Sequence, residues 1–228
     1  MGLWSFVQGN HGVTGGSSDP MSVTLSGVTP GHLIVVSTVN EASPTFAGAP
    51  ADGSNTYNLL LGLATGSPTR IYMAVPTVGG NLTITSPTSI FGVICAAEFN
   101  PGGGTISVDG SGATANGTSA TSSTGAFTVS GNNLVVGTVA DSSAATPTFS
   151  GGYLTAAGVP LLGGSNIAGW LAYSLATASP ATVSAALGSS MEWTAVGIGF
   201  VSTGGEATPV VPYRHLFGGM NFSLMDTP

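Results

Sequence analysis

Short apolar runs alternate with Gly- and Pro-rich breaks along the whole chain. Runs of this length, rich in β-branched and aromatic residues, are strand signals. They predict strands at 4–8, 22–26, 33–39, 57–63, 70–75, 82–85 and 91–99 in the first half. In the second half the predicted strands are 106–108, 127–129, 134–139, 170–175, 182–186 and 193–201. Helical signals are nearly absent, because 36 glycines and 14 prolines interrupt the chain every few residues. The pattern predicts an all-β fold built as a sandwich or barrel.

The pattern also repeats. Ser22-Val23-Thr24-Leu25-Ser26-Gly27 returns as Ala126-Phe127-Thr128-Val129-Ser130-Gly131. Leu33-Ile34-Val35-Val36-Ser37-Thr38-Val39 returns as Asn133-Leu134-Val135-Val136-Gly137-Thr138-Val139, and Ile71-Tyr72-Met73-Ala74-Val75 matches Trp170-Leu171-Ala172-Tyr173-Ser174. The offset stays roughly 100 residues, far too long for a solenoid period. An internal pseudo-two-fold repeat is expected, with halves at about 22–99 and 126–200. One domain over 1–205, made of two packed pseudo-symmetric sheets, is the favoured arrangement; two tandem small sandwiches are the alternative. The Gly-, Ala-, Ser- and Thr-rich stretch 100–125 reads as a linker or a long edge connection. The first predicted strand has no evident counterpart ahead of the second half.

Charge narrows the function classes. The chain has 228 residues, no lysine and two arginines, Arg70 and Arg214, against nine acids, for a formal net charge of −7. Two cations cannot build the basic surface that nucleic-acid binding needs, nor a polybasic membrane patch. Schiff-base and P-loop chemistry lack their lysine. Charged residues are 5% of the chain, so the surface must consist of Ser, Thr, Asn, Gly and Ala. Such a surface is expected on assembled or extracellular proteins. The N-terminal residues carry no basic region followed by an apolar run, so no secretory signal is expected. No run approaches the length of a membrane helix.

Candidate chemistry is sparse. The single Cys95 lies in an apolar run and reads as a buried hydrophobe. His11 falls in a Gly-rich loop, His32 in a Thr-Pro-Gly turn and His215 near the C-terminus; none has metal-ligand spacing, and no metal or cofactor is expected. Glu98 and Glu192 sit in corresponding closing strands but at different positions, so a carboxylate pair of the glycosidase kind is not expected. Glu98 is the acid expected to be most buried. Asp52-Gly53-Ser54-Asn55 has the look of a calcium loop but lacks the further spaced acids, and reads as a tight turn.

The segments Phe6 to Gln8, Ser22 to Leu25, Gly31 to Val36, Asp52 to Tyr57 and Arg70 to Ala74 together resemble jelly-roll-like β-sandwich proteins of phage and bacterial surfaces. These include virion decoration proteins and fibre or adhesin modules. The likeness covers residues 3 to about 201 and rests on strand and turn grammar. It implies a jelly-roll-like sandwich with a structural or binding role, and it carries over no catalytic residue.

Residues 206–228 read as an extended C-terminal arm. After the Pro209-Val210-Val211-Pro212 connector it concentrates Tyr213, Leu216, Phe217, Met220, Phe222, Leu224 and Met225, where polar fraying is the norm. These are the candidate partner-binding residues. The expectation is a non-enzymatic phage virion protein, a capsid decoration or cement protein that contacts the major capsid protein as a homo-oligomer, with a trimer favoured. No nucleic acid or membrane partner is expected. The alternative is a tail-fibre or adhesin module that binds host glycans through exposed Trp4, Trp170 or Trp193.

Overall fold

The computed structural model describes residues 4–14, 20–41, 48–65, 67–87, 91–131, 133–142, 145–160 and 167–204. Among them there is no helix, and thirteen strands form antiparallel sheets consistent with a β-sandwich. The first seven are β1 (Ser5–Val13), β2 (Met21–Val28), β3 (Leu33–Asn40), β4 (Asn58–Leu63), β5 (Thr69–Ala74), β6 (Gly80–Ser86) and β7 (Gly92–Asn100). The rest are β8 (Thr105–Ser123), β9 (Leu134–Asp141), β10 (Thr148–Phe149), β11 (Leu154–Val159), β12 (Ala168–Leu175) and β13 (Ser184–Thr203).

The strands lie in four layers. The first large sheet has the order β1-β7-β3-β5-β4, and β2 pairs with β6 as a separate ribbon. The second large sheet runs β13-β9-β12-β11, with β8 on the other side of β13. Its outer layer forms where β8, β13 and β10 continue past the large sheet, and where Phe127 bridges Ala181. Strand order and register correspond between the two large sheets. Leu33 faces Phe99 and Leu134 faces Phe200; Ile34 faces Ala74 and Val135 faces Ser174. Both edge hairpins carry an irregularity at the same place, Leu59/Leu61 in one and Thr155/Ala157 in the other.

The main core lies between the large sheets. It joins Leu33, Val35, Val93, Cys95 and Phe99 from one to Leu134, Val136, Leu171, Val196 and Phe200 from the other. The opposite faces of the same strands are covered too. Ile34, Val36, Ile94 and Ala96 pack under Val23, Leu25 and Ile84 of the β2–β6 ribbon. Val135 and Ala172 pack under Phe127, Val129 and Val183. With both faces covered, β3, β9 and β12 carry near-continuous apolar runs, and β7 is buried almost throughout. Where the second outer layer comes closest, the large sheet has glycine: a Cβ on Gly137 would lie 2.5 Å from Val183, and one on Gly199 2.7 Å from Val129.

Contacts across the central core are reciprocal. β7 lies against β12 and β5 against β13; β1 lies against β11 and β8 against β4. Phe6 stacks on Tyr173 with centroids 4.8 Å apart, and Phe99 meets Tyr173 edge-on at 5.4 Å. At the other end the buried hydroxyls of Thr69 and Thr194 are 2.6 Å apart.

Several expectations are corrected. Residues 100–125 are largely strand β8, 19 residues long, which pairs with β13 along its length. The start of β8 pairs with β13 as β1 pairs with β7. The predicted strands 182–186 and 193–201 belong to one 20-residue strand with an irregularity between Ala186 and Met191. Segment 127–129 contributes a single bridge, and β10 and β11 were not predicted. The arm 206–228 lies outside the described residues.

Because the two halves share the central core, they should unfold together. Truncating Phe99 or Phe200 to Ala removes a fully buried ring and should cost about 3–5 kcal/mol each. Urea unfolding followed by fluorescence and by circular dichroism should give one coincident transition for the wild type and both variants, at a lower midpoint in the variants. Two separated transitions would show halves that fold independently.

Candidate functional site

Three places bring polar chemistry together. The first is built on Glu98. Strand β7 alternates, so Val93, Cys95, Ala97 and Phe99 face the central core while Glu98 faces the ribbon side. Its side chain is fully buried. Gln8 Nε2 on β1 donates to Oε2 at 2.6 Å, the Thr29 amide donates to Oε1 at 3.0 Å, and His32 Nδ1 donates to Oε1 at 2.7 Å. Gln8 also bonds the Ser26 backbone at both its amide and its carbonyl. The carboxylate thus ties the first edge strand, the end of β2 and the following turn to the sheet. His32 is therefore held by a carboxylate rather than merely solvated. A carboxylate-oriented imidazole is one part of an acid–base device. The other groups on the carboxylate are the Thr29 amide and Gln8, and they occupy its oxygens.

The second half solves the same problem differently. Gly199 stands in the register position of Glu98, and Asp109 in that of Gln8. Asp109 Oδ2 accepts from the Ser130 amide and hydroxyl at 2.7 and 2.8 Å, as Gln8 engages Ser26. Asn133 precedes β9 as His32 precedes β3. It donates to the Ser130 carbonyl and accepts from the Thr177 amide at 3.1 Å.

The second place is the loop ahead of β4. Asp52 Oδ1 accepts from the amides of Ser54 and Asn55 at 2.8 and 2.7 Å, and Oδ2 accepts from Asn55 Nδ2 and Tyr57 OH at 2.8 and 3.0 Å. Burial pulls the Asp52 carboxyl up, but these four bonds outweigh it and hold the carboxyl below its ordinary value. Burial, with Asp52 beside it, pushes the Tyr57 phenol well up. This is an Asx-type turn with both carboxylate oxygens committed to the chain itself.

The third place is a cleft of about 530 Å³ on the second half, lined by Gly151, Gly152, Tyr153, residues 174–178, Pro180 and Thr182. On its rim Ala176 adopts left-handed backbone at φ +59°, uncommon for a residue with a side chain. Burial pushes the Tyr153 phenol up to about 12. A smaller hollow of about 120 Å³ lies beside Glu192 and Trp193.

The other sequence candidates are dispersed. His11 lies within β1, opposite Cys95, and not in a loop. Cys95 is buried, and burial pushes its thiol up to about 12, so it is an inert thiol. Glu192 is exposed on β13, seven residues before Gly199, the counterpart of Glu98. Those seven residues span roughly 23 Å of strand, and the two acids belong to different sheets. Among the described residues no group of three or more His, Cys, Asp or Glu side chains could hold a metal ion. Trp4 and Trp170 are buried, 7% and 5% exposed, so neither offers a stacking face for a glycan; only Trp193 borders a hollow, with Nε1 donating to Ser119 Oγ at 2.9 Å. Tyr213, Leu216, Phe217, Met220, Phe222, Leu224 and Met225, like His215, lie outside the described residues. The sequence did not single out the His32–Glu98 contact or the Tyr153 cleft. The first joins residues 66 positions apart; the second needs the two halves compared after folding.

No protein-family model matches the chain, and no curated protein or solved structure is significantly similar to it.

Two measurements follow from this geometry. Glu98→Ala leaves three partly exposed donors without their acceptor and should cost about 1–3 kcal/mol in urea unfolding, with Glu98→Gln milder. Asp52 has a folded-state pKa below its unfolded value, near 3.9, so its contribution is present above that pH and is lost as pH falls through the folded pKa. Asp52→Asn should therefore flatten the decline in stability below about pH 4. A wild-type and variant pair with parallel acid profiles would contradict this.

Proposed function

We propose that this chain is a non-enzymatic structural protein of a virus particle, a phage capsid decoration or cement protein that binds the assembled shell and stabilises it. The observation that carries the reading is a stiff, four-layered β body whose two large sheets are buried on both faces, in a chain with 5% charged residues. Such a body resists deformation, and its nearly uncharged surface offers little repulsion to close packing against a neighbour. The pairing of the first half supports a jelly-roll-like winding: β1 with β7, β2 with β6 and β3 with β5 are nested, as in a long hairpin rolled up on itself. Jelly rolls are frequent in viral capsid domains, which is an analogy of fold. The matching strand orders, registers and reciprocal contacts support an internal pseudo-two-fold repeat over about 22–99 and 126–200, which resembles an isologous dimer joined into one chain.

In this reading the partner is the major capsid protein, the location is the virion, and the arm 206–228 attaches the body to a neighbouring subunit of a homo-oligomer, a trimer by preference. Tyr213, Leu216, Phe217, Met220, Phe222, Leu224 and Met225 are its anchors. Each is worth roughly 1.5–3 kcal/mol if fully buried.

Deleting 209–228 should leave the circular dichroism spectrum and unfolding midpoint of the body nearly unchanged. It should lower the oligomer mass in light scattering and abolish co-sedimentation with native particles. Unchanged mass together with unchanged co-sedimentation would sink the reading.

A further inference from the structure

Both large sheets finish at the same end of the molecule. β7 and β13 run out there at Asn100 and Thr203, and Ser202 Oγ donates to the Pro101 carbonyl at 2.7 Å. Phe6 and Phe99 of one sheet meet Tyr173 of the other just inside it. The described residues include seven exposed large apolar side chains, and all seven lie towards this end. Val75 follows the last residue of β5, and Leu175 is the last residue of β12. Leu59 and Leu154 stand at the starts of the edge strands β4 and β11, 52% and 59% exposed. Val7 and Val108 are near the starts of β1 and β8, and Val78 is in the turn between β5 and β6. None of the seven is at the opposite end, where Thr69 meets Thr194. Exposed apolar residues scattered singly are ordinary; gathered at one end they mark an interaction surface.

The chain also leaves from this end. β13 stops at Thr203, Gly204 turns in left-handed backbone at φ +84°, and residues 205–228 follow. Seven large apolar anchors lie between Tyr213 and Met225. The arm therefore starts beside an uncovered apolar surface and carries a matching set of side chains.

The connector decides which copy's arm covers the surface. Thr208 and Val211 each precede a proline, which restricts them to extended backbone. In that form residues 208–212 span about 16 Å, at about 3.1 Å per residue. The far edge of the sheet, β11, is three strand steps from β13, roughly 14 Å. A connector of that stiffness, with 205–207 ahead of it, sets Tyr213 past the rim of its own end and within reach of a neighbour.

We propose that this apolar end is the docking surface for the 213–225 segment of a second copy of this chain. The proposal rests on the part of the virion reading that sends the arm to a neighbouring subunit, and it adds the surface that receives the arm. Arm and end are different surfaces, so the contact is heterologous. Each subunit gives one arm and receives one, and contacts of that kind close into a ring.

The test uses full-length chains and a short bismaleimide; Cys95 is buried and does not compete. One chain carries Leu154→Cys on the receiving end. A second, distinguishable by mass and co-expressed with it, carries Ser223→Cys between the anchors Phe222 and Leu224. A cross-linked pair of unlike chains is expected. Ser190→Cys, exposed on β13 towards the opposite end, should form no link with the same arm. No link from Leu154→Cys, or an equal link from Ser190→Cys, would overturn the surface. In a chain carrying both Leu154→Cys and Ser223→Cys, a link within a single chain would give the end to its own arm and overturn the assignment to a second copy. Leu154→Ser combined with Leu175→Ser changes two exposed positions and should leave the unfolding midpoint nearly unchanged. It should raise the dissociation constant of the oligomer roughly tenfold in analytical ultracentrifugation. An unchanged constant would also overturn the surface. Failure here is distinct from failure of the virion reading. Co-sedimentation lost on deleting 209–228, with no link from Leu154→Cys, keeps the virion reading and overturns this surface. Links formed by a protein that does not co-sediment with particles keep this surface and sink the virion reading.

Discussion

The two large sheets are each covered on both faces, and most of the molecule follows from that constraint. A strand in such a position has no solvent side on which to put polar residues. β3 and β9 are buried at every position, and their polar residues, Ser37, Thr38, Asn40, Thr138 and Asp141, are buried with them. Side-chain volume has to be shared between layers. Where the second outer layer presents Phe127, Val129 and Val183, the sheet beneath presents Gly137, Gly197 and Gly199. Where the first outer ribbon presents Val23, Leu25 and Ile84, the sheet offers Val36 and Ala96. Large side chains in the outer layer thus meet small ones in the sheet, as close packing requires.

Covering both faces also makes the polar end of each half costly. The chain must turn from the outer layer into the large sheet while its amides remain paired. In the first half a glutamate, a histidine and a glutamine share that work; in the second an aspartate on the edge strand and an asparagine before β9 divide it. Equivalent backbone geometry is held by different side-chain chemistry. A buried carboxylate at Glu98 is therefore readable as an architectural tie, with three donors arranged around it, before any catalytic role is invoked.

The fold was legible where burial dictates sequence. β3, β5, β7, β9 and β12 stand out because strands covered on both faces need unbroken apolar runs. β8 was not legible: its Gly, Ala, Ser and Thr residues have no apolar periodicity, and the strand exists because β13 offers it a partner along its length. β11 was hidden for a related reason, since Thr155, Ala156 and Gly158 are weak strand signals and the edge depends on pairing with β12. The polar sites were less legible still. Glu98 was identifiable as the buried acid from its apolar surroundings, but its partners come from β1 and from the turn before β3, both distant in sequence. The Tyr153 cleft depends on a length difference between two loops, which gains meaning only when the hairpins that follow are aligned in space.

The two hairpin irregularities bear on which sequence changes these edges can tolerate. The strands Asn58–Leu63 and Leu154–Val159 agree in identity at one corresponding position, Gly62 and Gly158, yet both skip a partner at the same step. A substitution there alters one contact. An insertion or deletion would invert which side chains point inward for the rest of the strand. A change of residue type at these edges therefore touches one neighbour, whereas a change of length re-addresses the whole strand.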